Sequence, residues 1–324
     1  MLAMFEVPRV LNRESTRQGF ARGLVEAARR DERIVVLGLD VSASLFLQEF
    51  KGAFPERFIS LGIAEQNGAS VAAGLALNGL KPVFATYATF ATTRALDQLR
   101  VSVCYNGAPV LIAGAHAGLS VGPDGATHQA LEDIATMRVL PGMRVCIPCD
   151  SNQAESAART LLLSESHSPV YVRLGRAATE NFTDPARAFE LGKWECYGST
   201  SAPELVVFAC GGLLYPALEA VSQLEREGLS VSAVNVSSAK PLDEAVLASS
   251  MRHAKAFVVV EEHQRLGGIG SAIAEFASAH GGKHIRFIAV DDRFGESGAP
   301  GALLEAFHLT ASDIAEAVRA LLAA

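Results

Sequence analysis

Cysteine is scarce in this chain: there are five in 324 residues, at Cys104, Cys146, Cys149, Cys196 and Cys210. An odd, scattered set does not form a disulfide framework and suits a reducing compartment. Long apolar runs are missing too. No stretch reaches the roughly 18 residues needed to span a bilayer. The opening MLAMFEVPRVLNRE has no apolar core of signal-peptide length. The expected setting is the cytoplasm, with no membrane partner. Positive charge is in deficit, with 28 Lys and Arg against 35 Asp and Glu and a net charge of −7. That excludes a chain-wide basic field for nucleic acid while leaving room for a local cationic pocket. Low-complexity segments and repeats of solenoid length are also absent.

Apolar residues are plentiful. They make up 49% of the chain, against 19% charged, enough for well-filled cores and too little charge for disorder. A single core stops growing at about 250–300 residues, so two domains are expected. Strand-length apolar runs occur at Ile34–Leu37, Val110–Ala113, Val170–Val172, Leu205–Ala209, Val231–Val236, Ala256–Val260 and Ile285–Val290. Helical stretches lie between them, among them Thr16–Arg30, Gln153–Leu163, Tyr215–Glu227 and Gly268–Ala279. Several runs do not alternate, as expected of strands buried on both faces of a parallel sheet. The fold class is therefore α/β, with two domains, each a mainly parallel sheet flanked by helices. Arg176–Lys193, with Pro185, mixed charge and no clean period, separates residues 1–180 from a smaller unit at 190–324.

Three segments carry chemical groups. In Ser60–Gly79, Glu65 opens a helix of small residues; on its own, a first-turn Glu is an ordinary response to the helix dipole. The small residues Gly68–Gly79 suit a close-packed subunit contact. In Lys81–Gln98, Tyr87 and Phe90 read as core aromatics or as a ring-binding platform. Ala113–Gln129 is a glycine-rich loop after a strand, offering His116, Asp124 and His128. Ligands of parallel α/β sheets bind beyond the carboxyl ends of strands, where this loop falls. His116 and His128 fit no short zinc spacing, and no metal site is assigned to the chain. Cys146-Ile-Pro-Cys149 is a lone C-x-x-C, read as packing ahead of redox or metal chemistry. Gly267–Ala272, GGIGSA, falls short of G-x-G-x-x-G and reads as a tight strand-to-helix connection.

Together the motifs resemble the transketolase family. Gly62–Ala69, GIAEQNGA, is similar to the family's G-I-x-E-x segment, and Tyr87-Ala-Thr-Phe90 to the aromatic stretch after it. Gly122–Gln129, GPDGATHQ, followed by LEDIATMRVLPGMRV, resembles the G-x-D-G-x-T-H-Q…E-x-x-A…R-x-x-P run. The likeness covers nearly the whole chain, weakens after Lys193, and is nearest to C-terminal subunits of transketolases whose halves are separate chains.

The resemblance implies a cofactor, thiamine diphosphate, and roles position by position. Glu65 matches the carboxylate on the pyrimidine N1′ nitrogen. Phe90 matches the stacking aromatic, Tyr87 its neighbour, and Asp40 a carboxylate near the cofactor. His128, with a catalytic role, and Asp124 match groups on the substrate hydroxyls. Arg17, Ser44, His116 and Arg176 match the end that holds a sugar phosphate, where a guanidinium meets two phosphate oxygens at once. Arg173 stands close enough to compete for the place of Arg176. The family's G-D-G segment for Mg²⁺ is absent from this sequence. The Mg²⁺ ligands are therefore expected from an N-terminal, diphosphate-binding partner subunit, in an α2β2-like assembly. The implied reaction is transfer of a two-carbon ketol unit between sugar phosphates. Rival expectations are the beta subunit of a 2-oxo acid dehydrogenase decarboxylase, a 1-deoxyxylulose-phosphate synthase-like enzyme, and a non-catalytic scaffold on the same fold.

Overall fold

A computed structural model of the protein describes residues 5–323. Two sheets and a small ribbon account for its strands. The strands in chain order are β1 (Asn12–Glu14), β2 (Ile34–Gly38), β3 (Phe58–Ser60), β4 (Lys81–Tyr87), β5 (Leu111–Ala115), β6 (Arg144–Cys146), β7 (Val170–Leu174), β8 (Thr179–Asn181), β9 (Glu195–Tyr197), β10 (Leu205–Ala209), β11 (Val231–Asn235), β12 (Ser238–Lys240), β13 (Ala256–Gln264) and β14 (His284–Val290). The first sheet has seven strands in the order β12-β6-β7-β5-β4-β2-β3. All its pairings are parallel except that of β12 with β6. The second has five, in the order β14-β13-β10-β11-β9, and only β9 runs antiparallel to its neighbour. The chain is thus α/β with mainly parallel sheets. Every residue of β2, β5, β7, β10 and β11 is buried, which explains why those runs do not alternate.

The segment between the sheets is ordered by specific bonds. β8 pairs antiparallel with β1. Asp150 caps the helix Ser151–Leu163 through the Gln153 N–H at 2.8 Å. Its other oxygen accepts the N–H groups of Phe182 and Thr183 at 2.8 and 2.7 Å. β12 follows this segment in sequence yet joins the first sheet. One apolar cluster runs from Phe84 and Ile112 through Ile134 and Val145 to Phe208, Phe257 and Ile273. The two sheets therefore share a continuous buried core.

The helix Glu65–Leu77 corrects an expectation. Ala69, Ala72, Ala73 and Ala76 are buried in the chain's own core, and a Cβ on Gly68 would stand 2.9 Å from Phe84. The small side chains let this helix lie close on its own sheet. Those four alanines and Gly68 are not available to a second subunit; Gly74 and Gly79 face open space. No helix among the described residues is long and apolar enough to cross a membrane.

Candidate active site

Four parallel strands of the first sheet end on one side, and the candidate residues follow their carboxyl ends. β2 leads to Asp40 and Ser44, β4 ends at Tyr87, β5 runs directly into His116, and β7 into Arg176. Arg17 joins them from the first turn of the helix Thr16–Arg30. The chain reverses at His116 in a left-handed conformation, φ 59°, which His tolerates better than most residues. That turn lays the imidazole on the Tyr87 ring, with centroids 3.9 Å apart.

An aromatic wall results. Tyr87 stacks beside Phe90 at 5.7 Å, and His128 meets both edge-on, at 5.7 and 5.5 Å. The Tyr87 hydroxyl donates to Ser44 Oγ at 3.0 Å. Arg17 donates through Nη1 to the Ser44 carbonyl and through Nη2 to the Arg176 carbonyl, the latter at 2.7 Å. Arg176 donates to the Val121 carbonyl at 3.0 Å, and its Nε lies 3.6 Å from Asp124. Asp124 is also 4.0 Å from His116 Nε2. Arg17, Ser44, Tyr87, Phe90, His116, Asp124, His128 and Arg176 thus form one connected set.

Glu65 closes the other end. Its carboxylate is 2% exposed, at the start of its helix, and accepts Arg94 Nη1 at 2.7 Å. The same guanidinium covers the Phe90 ring at 4.4 Å. Sequence reading missed Arg94. The available signal was its place four residues after Phe90, which one helical turn brings together; here the turn is π-helical. Asp40 stands apart. It is exposed, and its side chain makes no hydrogen bond or ion pair among the described residues.

The electrostatics follow from burial beside cations. Burial, then the Arg17 and Arg176 charges, lower the His116 pKa to about 3, so its ring is neutral near pH 7. Its Nδ1 is buried without a partner, as is Arg17 Nε. Each therefore retains a hydrogen-bonding capacity that no protein group uses. Burial also lowers the Arg17 pKa to about 10, which leaves it charged at neutral pH.

Other groups are spent elsewhere. Arg173 is buried, with Nε on Asp133 at 2.7 Å and Nη2 on the Glu262 carbonyl at 2.8 Å. It serves the junction of the two sheets, so the strand end belongs to Arg176. Cys146 and Cys149 are buried, and desolvation pushes both thiols up, away from thiolate chemistry. The helix that GGIGSA opens is already capped from within the chain: Glu261 accepts the Ile269 and Gly270 N–H groups at 2.7 and 2.9 Å.

A carboxylate, an aromatic platform, a neutral imidazole and arginines thus gather at the carboxyl ends of parallel strands, where ligands of α/β sheets bind. Comparison with known proteins fixes the family. Residues 13–181 match the pyrimidine binding domain of transketolase and residues 193–314 the transketolase C-terminal domain. The chain belongs to the transketolase family.

Its relatives include a putative transketolase C-terminal section of Methanocaldococcus jannaschii, 38% identical over 93% of this chain and 94% of that protein. The 1-deoxy-D-xylulose-5-phosphate synthase of Aquifex aeolicus is 38% identical over 93% of this chain but 47% of its own length. The chain spans about half of such synthases. Among solved structures, a split gene transketolase described as an inactive beta4 tetramer superposes with a TM-score of 0.87. It is 41% identical, over 95% of this chain and 98% of that one.

Proposed function

We propose that this chain is the C-terminal subunit of a split, thiamine diphosphate-dependent transketolase. It moves a two-carbon ketol unit between sugar phosphates, with pentose phosphates as the default substrates. Residues 1–180 supply the pyrimidine and substrate wall, and 190–324 a supporting domain. The observation that carries the reading is Glu65: a buried carboxylate beside the Phe90–Tyr87 platform, at the head of the wall formed by His116, His128, Arg17 and Arg176.

These residues fit the cofactor. Tyr87 and Phe90 offer ring faces to a planar pyrimidine, and Glu65 a carboxylate for its ring nitrogen N1′. Asp40 is assigned to the cofactor's edge. When bound, thiamine diphosphate supplies the electron sink for breaking the carbon–carbon bond beside a ketose carbonyl. Glu65 holds and exchanges the proton at N1′. His128 moves a proton at the reacting end and Asp124 orients a substrate hydroxyl, while neutral His116 faces the phosphate end. Arg17 and Arg176, with Ser44, hold the phosphate. Mg²⁺ and the diphosphate are assigned to an N-terminal partner subunit, because the sequence has no G-D-G segment. Ile63, Leu77, Val101 and Tyr105 are exposed on or beside the packed helices Glu65–Leu77 and Leu99–Tyr105. Such apolar surface suits burial by a partner or by self-association into an α2β2-like assembly. The setting is cytoplasmic.

The test is a calorimetric titration of thiamine diphosphate and Mg²⁺ into the chain alone and into its mixture with an N-terminal transketolase subunit. Tight binding and ketol transfer are expected only in the mixture, and Glu65→Ala abolishes both. Turnover by the chain alone refutes the shared site. The similarity to 1-deoxy-D-xylulose-5-phosphate synthases makes a 2-oxo acid the control donor, and CO2 release from it marks that chemistry instead.

A further inference from the structure

Glu262 belongs to β13 of the second sheet, yet its carboxylate reaches into the loop 114–129 that follows β5. Its Oε2 accepts the Ser120 N–H at 2.7 Å. The Ser120 hydroxyl and the Leu119 N–H also favour the ionised carboxylate, against the desolvation that raises its pKa. Gly118 makes room for it. At φ 84°, a Cβ on Gly118 would stand 2.6 Å from Glu262 Oε2, so the close approach needs glycine. The Glu262 backbone is fixed in turn, since its carbonyl accepts Arg173 Nη2 at 2.8 Å and Arg173 is held by Asp133.

The far end of the loop is held from the same side. Gln129 Nε2 donates to the Leu119 carbonyl at 3.1 Å and to the Glu296 carbonyl at 2.9 Å. Gly125, at φ 73°, packs on the Ser297 side chain. The stretch with Asp124 and His128 is therefore pinned to the second domain on both sides. A short path of bonds connects the pin to the arginines: Glu262 holds Ser120, the adjacent Val121 carbonyl accepts Arg176, and Arg176 faces Asp124. A buried carboxylate carries a desolvation cost that an apolar side chain of the same size avoids. If the junction needed packing alone, Leu would serve at 262.

We propose that Glu262 is a positioning residue of the substrate loop, through which the C-terminal domain sets Asp124, His128 and Arg176. This rests on the reading of that loop as the sugar-phosphate wall. Glu262 touches no reacting atom and acts through the Ser120 amide.

Two measurements on Glu262→Ala and Glu262→Gln test it. The first is hydrogen exchange of the full-length chain. Glu262→Ala is expected to speed exchange across residues 118–129 about tenfold or more, with the β10–β11 amides unchanged. Glu262→Gln keeps one acceptor and stays within about threefold of wild type. The second is steady-state kinetics of the complex with the N-terminal subunit. Glu262→Ala is expected to lower kcat/KM for a sugar phosphate about tenfold to a hundredfold, mostly through KM, because small misplacements are costly. Thiamine diphosphate affinity stays within about twofold, and Glu262→Gln recovers most of the KM. If Glu262→Ala does not fold, Glu262→Gln carries the test: a rise of about two- to threefold in loop exchange and KM at unchanged cofactor affinity supports positioning, and exchange and KM equal to wild type overturn it. Unchanged loop exchange and KM in a folded Glu262→Ala overturns the proposal. So does a parallel loss of cofactor affinity and stability, which marks a purely structural group. If the wild-type complex transfers no ketol unit, the functional reading fails, and loop exchange still decides whether Glu262 positions the loop.

Discussion

Neutral His116 makes the chain's acid stability calculable. Its ring is 2% exposed and its pKa is lowered to about 3, first by burial and then by the Arg17 and Arg176 charges. In the unfolded chain the imidazole takes a proton as pH falls through about 6.5. The folded chain refuses that proton until far lower pH. The sign follows: stability is full above pH 6.5 and is lost as pH falls from there toward 3, because the unfolded state binds more protons. At pH 5 the loss from this one group is about 2 kcal/mol.

Replacement by Asn removes the titration and keeps a residue that tolerates the left-handed backbone. Urea unfolding of wild type and His116→Asn at pH 8 and pH 5 isolates the effect. The wild type is expected to lose about 2 kcal/mol more than the variant across that interval. The carboxylates do not confuse the comparison. Hydrogen bonds from Arg33 and Arg319 hold Asp31 and Glu227 well below the usual carboxylate range when folded. In the unfolded chain they titrate mostly below pH 5, equally in both proteins. Parallel profiles for the two proteins would refute the reasoning, since the ring would then be titrating in the folded chain.

Two further substitutions probe Arg173 and Arg17. Arg173→Met leaves Asp133 buried without its cation and is expected to cost ~3–5 kcal/mol in urea unfolding. The double variant Arg173→Met, Asp133→Leu recovers most of that loss, and failure to recover would mean that the carbonyl bonds dominate. Arg17→Lys replaces a fork that grips two carbonyls by a single point charge. In the complex, KM for a sugar phosphate is expected to rise about tenfold with a smaller change in kcat, and an unchanged KM removes Arg17 from the phosphate end.

The buried strands were legible because their cause is local. Runs such as Leu205–Ala209 and Val231–Asn235 are apolar without alternation, and burial on both faces demands that. The helix Thr16–Arg30 is found as read. Where the cause is distant, legibility ended. β13 continues past Val260 through Glu261, Glu262 and His263, which do not read as strand. They are buried because each has a partner outside the strand: the Ile269 and Gly270 amides of the following helix, and, far along the chain, the Ser120 amide and the Ala135 amide at 3.3 Å. The helix after Asp150 starts two residues earlier than its periodicity suggested, because an Asp cap ignores the hydrophobic period. The candidate site residues were picked out as motifs, and the convergence of all but Asp40 is a property of the sheet order, which places β4, β5 and β7 side by side.

The choice between Arg173 and Arg176 shows that some of the distance was recoverable. In a strand, residues two apart share a face. Tyr171 and Arg173 of β7 do so, and both donate to the same oxygen of Asp133, at 2.7 Å each. Asp133 sits in the first turn of the helix Asp133–Val139, on the side of the first sheet that meets the second. An arginine sharing the face of a buried tyrosine, ahead of the strand's end, is committed to a buried partner before any loop can claim it. Arg176 lies beyond Leu174, the last residue of β7, where side-chain alternation no longer applies, and its guanidinium meets the Val121 carbonyl and Asp124. The two-residue period puts Arg173 on the face of Tyr171, and the structure shows that this face meets Asp133 at the domain junction, while Arg176 lies past the strand end beside Asp124. The wall then depends on the junction, since the Glu262 backbone that Arg173 holds is the one whose carboxylate pins Ser120.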